Sequence, residues 1–102
     1  MDWRVSRRAT ADMEAIAYYT EERWGLAQAL RYVDDIEARF AELARLPKSG
    51  RAAADVLSGL RASPLGSHVI YYRETLDGIL IVRVLHGRMD TNSQFASDDG
   101  AQ

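Results

Sequence analysis

The sequence predicts a small α+β domain, ordered β-α-α-β-β-β, in which an N-terminal helical hairpin lies on a small, largely antiparallel sheet. Three observations carry that expectation. Two long stretches of the first half repeat apolar residues at spacings of three and four, the period of one helix face. Three short stretches of the second half are rich in β-branched and aromatic residues and are bounded by turn formers. The chain has 102 residues, 47% hydrophobic and 27% charged, which suffices for one hydrophobic core and not for two.

Taken in order, DWRVS at 2–6 alternates Trp3 and Val5 with polar neighbours and reads as a first strand. Ser6 stands where a helix N-cap belongs, its hydroxyl able to accept an unpaired backbone N–H. From 7 to 24, Ala9, Met13, Ile16, Ala17, Thr20 and Trp24 keep to one helical face, and Gly25 ends the helix. A second stripe follows, Leu26, Ala29, Leu30, Val33, Ile36, Phe40, Leu43 and Leu46, closed by Pro47. With a single glycine between them the helices must run antiparallel, and both stripes need a cover.

The second half supplies it. After a polar loop come LRAS at 60–63, HVIYYRE at 68–74 and ILIVRVLH at 79–86, with the hairpin signal Asp77-Gly78 between the last two. Short connections imply an antiparallel meander under the helices. No repeat and no internal linker is visible, so residues 1–90 form a single domain. Residues 91–102 are polar and expected to be disordered, with Phe95 as the side chain able to dock.

Side chains alternate across a strand, which assigns Leu80, Val82, Val84 and His86 to the helix-covered face and Ile79, Ile81, Arg83 and Leu85 to the other. An arginine in the main core would require a desolvated partner, so Arg83 is expected on the outer face. Val69, Tyr71 and Arg73 share one face of the preceding strand, and Arg61 joins a row of guanidinium groups if the register permits. Two readings of Arg83 stand at this point. It belongs either to an apolar, arginine-studded protein-binding patch, or to a cross-hairpin pair with Glu74 or Asp77 worth about 0.2–1 kcal/mol. His86 at the strand end reads first as a hydrogen-bonded structural histidine, Gly87 as a sharp turn, and Arg88, Met89 and Asp90 as an exposed segment.

Composition excludes whole classes of function. There is no cysteine, so disulfides and thiolate metal sites are ruled out, and no cofactor or metal is expected. The formal charge of -2 argues against a protein that holds nucleic acid chiefly through phosphates. Arginine supplies every basic residue except Lys48; it clamps carboxylates and phosphates but does not act as a general base at neutral pH. The aliphatic run Ile79 to Val82 is far short of the roughly 20 residues that span a bilayer, and the charged N-terminus lacks the apolar stretch of a signal peptide. A cytoplasmic protein without membrane contact is expected.

Several segments together resemble the ParE branch of the ParE/RelE toxin superfamily. They are SRRATADMEAI with its helix, RWG before the second helix, GR at 50–51, GLR at 59–61, SHVIYYR at 67–73 and RVLHGRMD at 83–90. The resemblance covers about residues 3–90, and RVLHGRMD is its most specific piece. It implies the RelE/ParE-like fold, a toxin that inhibits DNA gyrase, and neutralisation by a ParD-like antitoxin in a heteromeric complex.

The sister RelE branch cleaves ribosome-bound mRNA, a reaction that needs proton-transfer groups and cations for the phosphate. Arg61 and Arg83 could hold phosphate, and His86, His68 or Glu74 could move protons. The lysine-rich surface and the C-terminal tyrosine common in that branch are missing, so the gyrase-directed reading is preferred, with RNase action or a non-toxic binding domain as alternatives. On the preferred reading the toxin has no catalysis of its own. Arg83, His86, Arg88 and Met89 are then expected at the target contact, with no sequence-specific nucleic acid binding. Expected antitoxin contacts are Arg61, Tyr71, Arg73, Ile81 and Arg83 on the sheet, and Tyr18 and Tyr19, with Tyr32 nearby, on the hairpin.

Overall fold

In the computed structural model, which describes residues 2–88 and 94–95, the elements run β1 (Asp2–Val5), α1 (Arg7–Trp24), α2 (Leu26–Arg45), a 3-10 turn (Pro47–Ser49), β2 (Arg51–Ala52), β3 (Arg61–Leu65), β4 (His68–Thr75) and β5 (Gly78–His86). The predicted order holds, with β2 added; two residues are too few to show a period. The strands form one sheet in the order β1-β5-β4-β3-β2, antiparallel except for the parallel pair β1 and β5. That exception follows from connectivity, because the chain crosses both helices and the meander before it returns beside β1.

The start of α1 is built as its sequence suggests. Ser6 adopts an extended backbone and its Oγ accepts from the Ala9 N–H at 3.0 Å. Gly25 closes α1 and opens α2 at φ 92, a left-handed conformation that glycine adopts without the Cβ penalty. Ile16, Ile36, Phe40 and Leu43 from the helices pack on Ile70, Tyr72, Ile79, Ile81 and Val84 of the sheet. The ends of the predicted stripes behave differently: Trp24, Leu26, Leu30 and Leu46 are exposed. Helical spacing alone therefore does not ensure burial at these positions.

The opposite face of the sheet has its own core. Tyr71, Leu80, Val82 and Leu85 are covered by Ala53, Leu60 and Phe95, with Val56 beside them. Phe95 therefore docks, its ring edge-on to Tyr71 with centroids 5.2 Å apart. The rest of the segment expected to be disordered, 91–93 and 96–102, lies outside the described residues, as do Met89 and Asp90.

The face assignment of β5 needs correction. Ile79 and Ile81 lie under the helices, whereas Leu80 and Val82 lie on the outer face, the reverse of simple alternation from the strand end. Beyond that point Val84 and Leu85 fall as expected. The cause is a register shift: Tyr72 pairs with Ile81 and Tyr71 with Arg83, leaving Val82 as an extra residue. A β-bulge of this kind inverts the parity of everything on one side of it.

Bulging leaves backbone groups without ladder partners, and the first turns of α1 supply them. The Ser6 N–H donates to the Ile81 carbonyl at 2.9 Å, and Ser6 Oγ donates to the Val82 carbonyl at 2.8 Å. Asp12 Oδ2 accepts from the Val84 N–H at 2.9 Å. Buried backbone groups left unmet would each cost about 1–3 kcal/mol, so the bulge and the helix entry stabilise each other.

Candidate binding surfaces

Arg83 is the pivot of the terminal motif; it stands opposite Tyr71 of the outer core, on the face expected, but its side chain is bonded to α1. Its Nε and Nη2 donate to Asp12 Oδ2 and Oδ1 at 2.8 and 2.9 Å, a two-pronged pair with both side chains largely buried. Neither of its expected alternatives, Glu74 or Asp77, is the partner. Glu74 instead pairs with Lys48, and Asp77 accepts from the Thr75 hydroxyl. A planar guanidinium facing a carboxylate in this manner is stronger than a single-point ion pair, and it fixes the β5 end to α1.

Beyond the clamp the chain turns outward. His68 and His86 are cross-strand partners, with their rings edge-on and centroids 5.4 Å apart. His68 Nδ1 lies 2.7 Å from Tyr32 Oη, which also donates to the Leu65 carbonyl at 3.3 Å. Burial lowers the His68 pKa, the neighbouring His86 lowers it further, and Asp12 opposes both. Burial likewise raises the Tyr32 pKa. Two bonds shape the turn that follows: Gly87 N–H donates to the Ser67 carbonyl at 2.8 Å, and Arg88 N–H donates to His86 Nδ1 at 3.1 Å. His86 and Arg88 are thereby displayed at the surface, and Met89 lies outside the described residues.

The remaining expected contacts are scattered. Arg61 sits at the other end of β3, where its Nη1 donates to the Gly50 carbonyl at 2.6 Å and the Lys48 carbonyl at 3.3 Å. Beside it Tyr72 Oη donates to the Pro47 carbonyl at 2.7 Å and accepts from the Gly50 N–H at 2.9 Å, so both side chains close the turn after α2. Ile81 is wholly buried beneath the helices, which corrects its assignment to an exposed patch. Tyr71 is covered by Phe95. Arg73 is exposed on the outer face, and Tyr18 and Tyr19 are exposed on α1, with the Arg23 guanidinium 4.9 Å from the Tyr19 ring centre. Arg61, Arg83 and His86 therefore do not converge: one ties down a turn, one clamps a helix, and one stands at the opposite end of the sheet.

Sequence reasoning missed Asp12, although a signal existed. Asp12 lies three residues after Ala9, on the edge of the buried helical stripe, where a carboxylate calls for a cationic partner. It also missed the pairing of His68 with Tyr32, which depends on the position of α2 over the β3–β4 turn. Among the described residues no group of three or more His, Asp or Glu side chains could hold a metal, and no helix is long and apolar enough to cross a membrane.

Comparison with known proteins places this arrangement in a family. Residues 3–91 match the model described as ParE toxin of type II toxin-antitoxin system, parDE. The chain is 37% identical over 93 residues to Toxin ParE1 of Caulobacter vibrioides, covering 91% of this chain and 96% of the relative. It is 38% identical over 89 residues to Toxin ParE1 of Mycobacterium tuberculosis, covering 86% and 91%. Among solved structures, a chain of the chromosomal ParDE TA system from P. aeruginosa superposes with a TM-score of 0.74 at 25% identity, over 84% of this chain and 95% of that one. The chain thus belongs to the ParE toxin family of type II toxin–antitoxin systems.

Proposed function

We propose that this toxin inhibits DNA gyrase by binding it, without catalysis of its own, and that a ParD-like antitoxin neutralises it by direct contact. The observation that carries the reading is the dispersal of the groups RNA cleavage would need. Arg61 is held by two backbone carbonyls, Arg83 is held by Asp12, and His86 stands apart from both in the register of the sheet. A nuclease site requires such groups to converge on one phosphate. A binding toxin requires a firmly held display, and the Asp12–Arg83 clamp followed by the bonded turn at Gly87 and Arg88 has that character.

In this reading Arg83 positions the strand end, while His86, Arg88 and Met89 contact the target. The site of action is the cytoplasm, where gyrase works. Purified gyrase and plasmid, assayed for supercoiling and DNA cleavage beside an mRNA-cleavage assay on translating ribosomes, test it. Loss of supercoiling with accumulation of linear DNA is expected, abolished by Arg88→Glu and weakened by His86→Ala in variants that keep the wild-type melting temperature. Cut mRNA with untouched gyrase would replace this reading with the nuclease one. Full potency of both variants would move the contact elsewhere.

A further inference from the structure

A cleft of about 1140 Å³ lies where the outer side of β1 meets the first turns of α1, and its lining includes Arg4, Arg7, Arg8, Glu14, Arg73 and Leu80. Register explains the convergence. Arg4 and Arg73 both oppose Leu80, one from each neighbouring strand, and Leu80 faces outward. The two arginines therefore flank one apolar side chain on one face, with backbones about 10 Å apart, twice the strand spacing. Arg7 joins them from α1, whose first turn holds no acidic residue to offset the positive helix end.

Among the described residues Arg4, Arg7 and Arg73 have neither an ion pair nor a side-chain hydrogen bond, in contrast to Arg39, Arg61 and Arg83. β1 is an edge strand of the sheet, and the cleft lies beside it. A chain of net charge -2 that gathers unpaired guanidinium groups around one concavity is complementary to carboxylates. The lining also includes Val5, Ala11 and Leu80 as well as Glu14, a mixture that suits a peptide with apolar and acidic side chains better than a continuous run of phosphates.

We propose that this cleft docks an acidic, partly apolar segment of a partner protein, whose carboxylates pair with Arg4, Arg7 and Arg73 while an apolar side chain covers Leu80. Identification of the partner as the ParD-like antitoxin rests on the function proposed above. Charge complementarity gives such a contact a steep salt dependence and a fast on-rate.

The test is a calorimetric titration of a ParD-like antitoxin, co-expressed with the toxin and separated from it, into the wild-type chain, Arg4→Glu, Arg73→Glu and the double variant, with Arg31→Glu on the exposed side of α2 as control. Circular dichroism melts verify folding, and Arg7→Glu stands in for any variant that does not fold. The proposal expects about tenfold weaker binding for each single change, more than a hundredfold for the double, and less than twofold for the control, with the differences shrinking at high salt. Wild-type affinity in the double variant would overturn the cleft assignment and leave antitoxin neutralisation standing. No antitoxin binding by the wild-type chain would overturn both. Binding of a 20-base-pair DNA duplex that the double variant loses, with antitoxin affinity unchanged, would reassign the cleft to nucleic acid.

Discussion

Toward the C-terminal end of β5, Arg83 is buried and held by two hydrogen bonds to Asp12, whereas near the start of the same strand Arg4 and Arg73 flank Leu80 beside an open cleft. The two regions share a strand, β5, and differ in what covers it. A buried charge such as Arg83 must bring its partner into the fold. Among the described residues the outer face is covered by Ala53, Val56, Leu60 and Phe95 around its centre, and Arg4 and Arg73 toward the β1 edge remain exposed. The same residue type is therefore a structural tie in one place and available for a partner in the other, and burial alone separates the two roles.

Removing one member of the clamp should have the largest effect. Asp12→Ala leaves Arg83 buried and uncompensated and leaves the Val84 N–H without its acceptor, and a loss of about 3–5 kcal/mol is expected in denaturant unfolding. If Asp12→Ala and Arg83→Met combined recover much of that loss, the penalty belongs to the orphaned charge rather than to the pair's own contribution.

The outer face should respond less. Phe95→Ala should cost about 1.5–3 kcal/mol, the value of returning a buried aromatic side chain to water, and expose Tyr71 to solvent, measurable by tyrosine fluorescence quenching. A silent Phe95→Ala would mean that the outer face holds together without its aromatic lid. Tyr72→Phe strips one hydroxyl from the Pro47 carbonyl and the Gly50 N–H, and about 1–3 kcal/mol should be lost with little change in the rest of the sheet.

Acid should weaken the fold through His68. Burial depresses its pKa in the native state, so the unfolded chain binds the proton more readily. The contribution is fully present above the ordinary histidine pKa and is lost as pH falls below about 6.5 toward the depressed native value. Melts from pH 7.5 to 5 should show this decline, and His68→Gln should flatten it. A smaller effect is expected at the exposed end of the hairpin: Trp24→Ala, at a side chain 70% exposed, should change stability by no more than about 0.5 kcal/mol. A larger loss there would show that this end is held by contacts beyond those of the isolated fold.

The elements were legible because each is specified locally. Helical spacing, the Ser6 cap and the Gly25 break act within a few residues and the structure reproduces them, whereas the hairpin turns one residue earlier than Asp77-Gly78, at Leu76 and Asp77, with Gly78 paired to Thr75. The candidate site was legible only in part. RVLHGRMD pointed to the segment that carries the Asp12–Arg83 clamp and the turn after it, but the contacts of its side chains depend on one extra residue in β5 that alternation does not reveal. Val82 satisfies either face by composition, being apolar on both sides, so the pattern contains nothing to announce the bulge.

Local chemistry in the chain set the helices, the strands, their order and the resemblance that led to the toxin family, since these depend on neighbours in sequence. Tertiary contacts set the parallel pairing of β1, the bulge, the choice of Asp12 for Arg83 and the gathering of Arg4, Arg7 and Arg73 around Leu80. Those depend on groups as far apart as residues 12 and 83 or 4 and 73, and no local preference distinguishes an arginine that will be buried from one that will remain free. The distinction arises only when α1 brings Asp12 against the end of β5, burying Arg83 with it and leaving Arg4, Arg7 and Arg73 exposed.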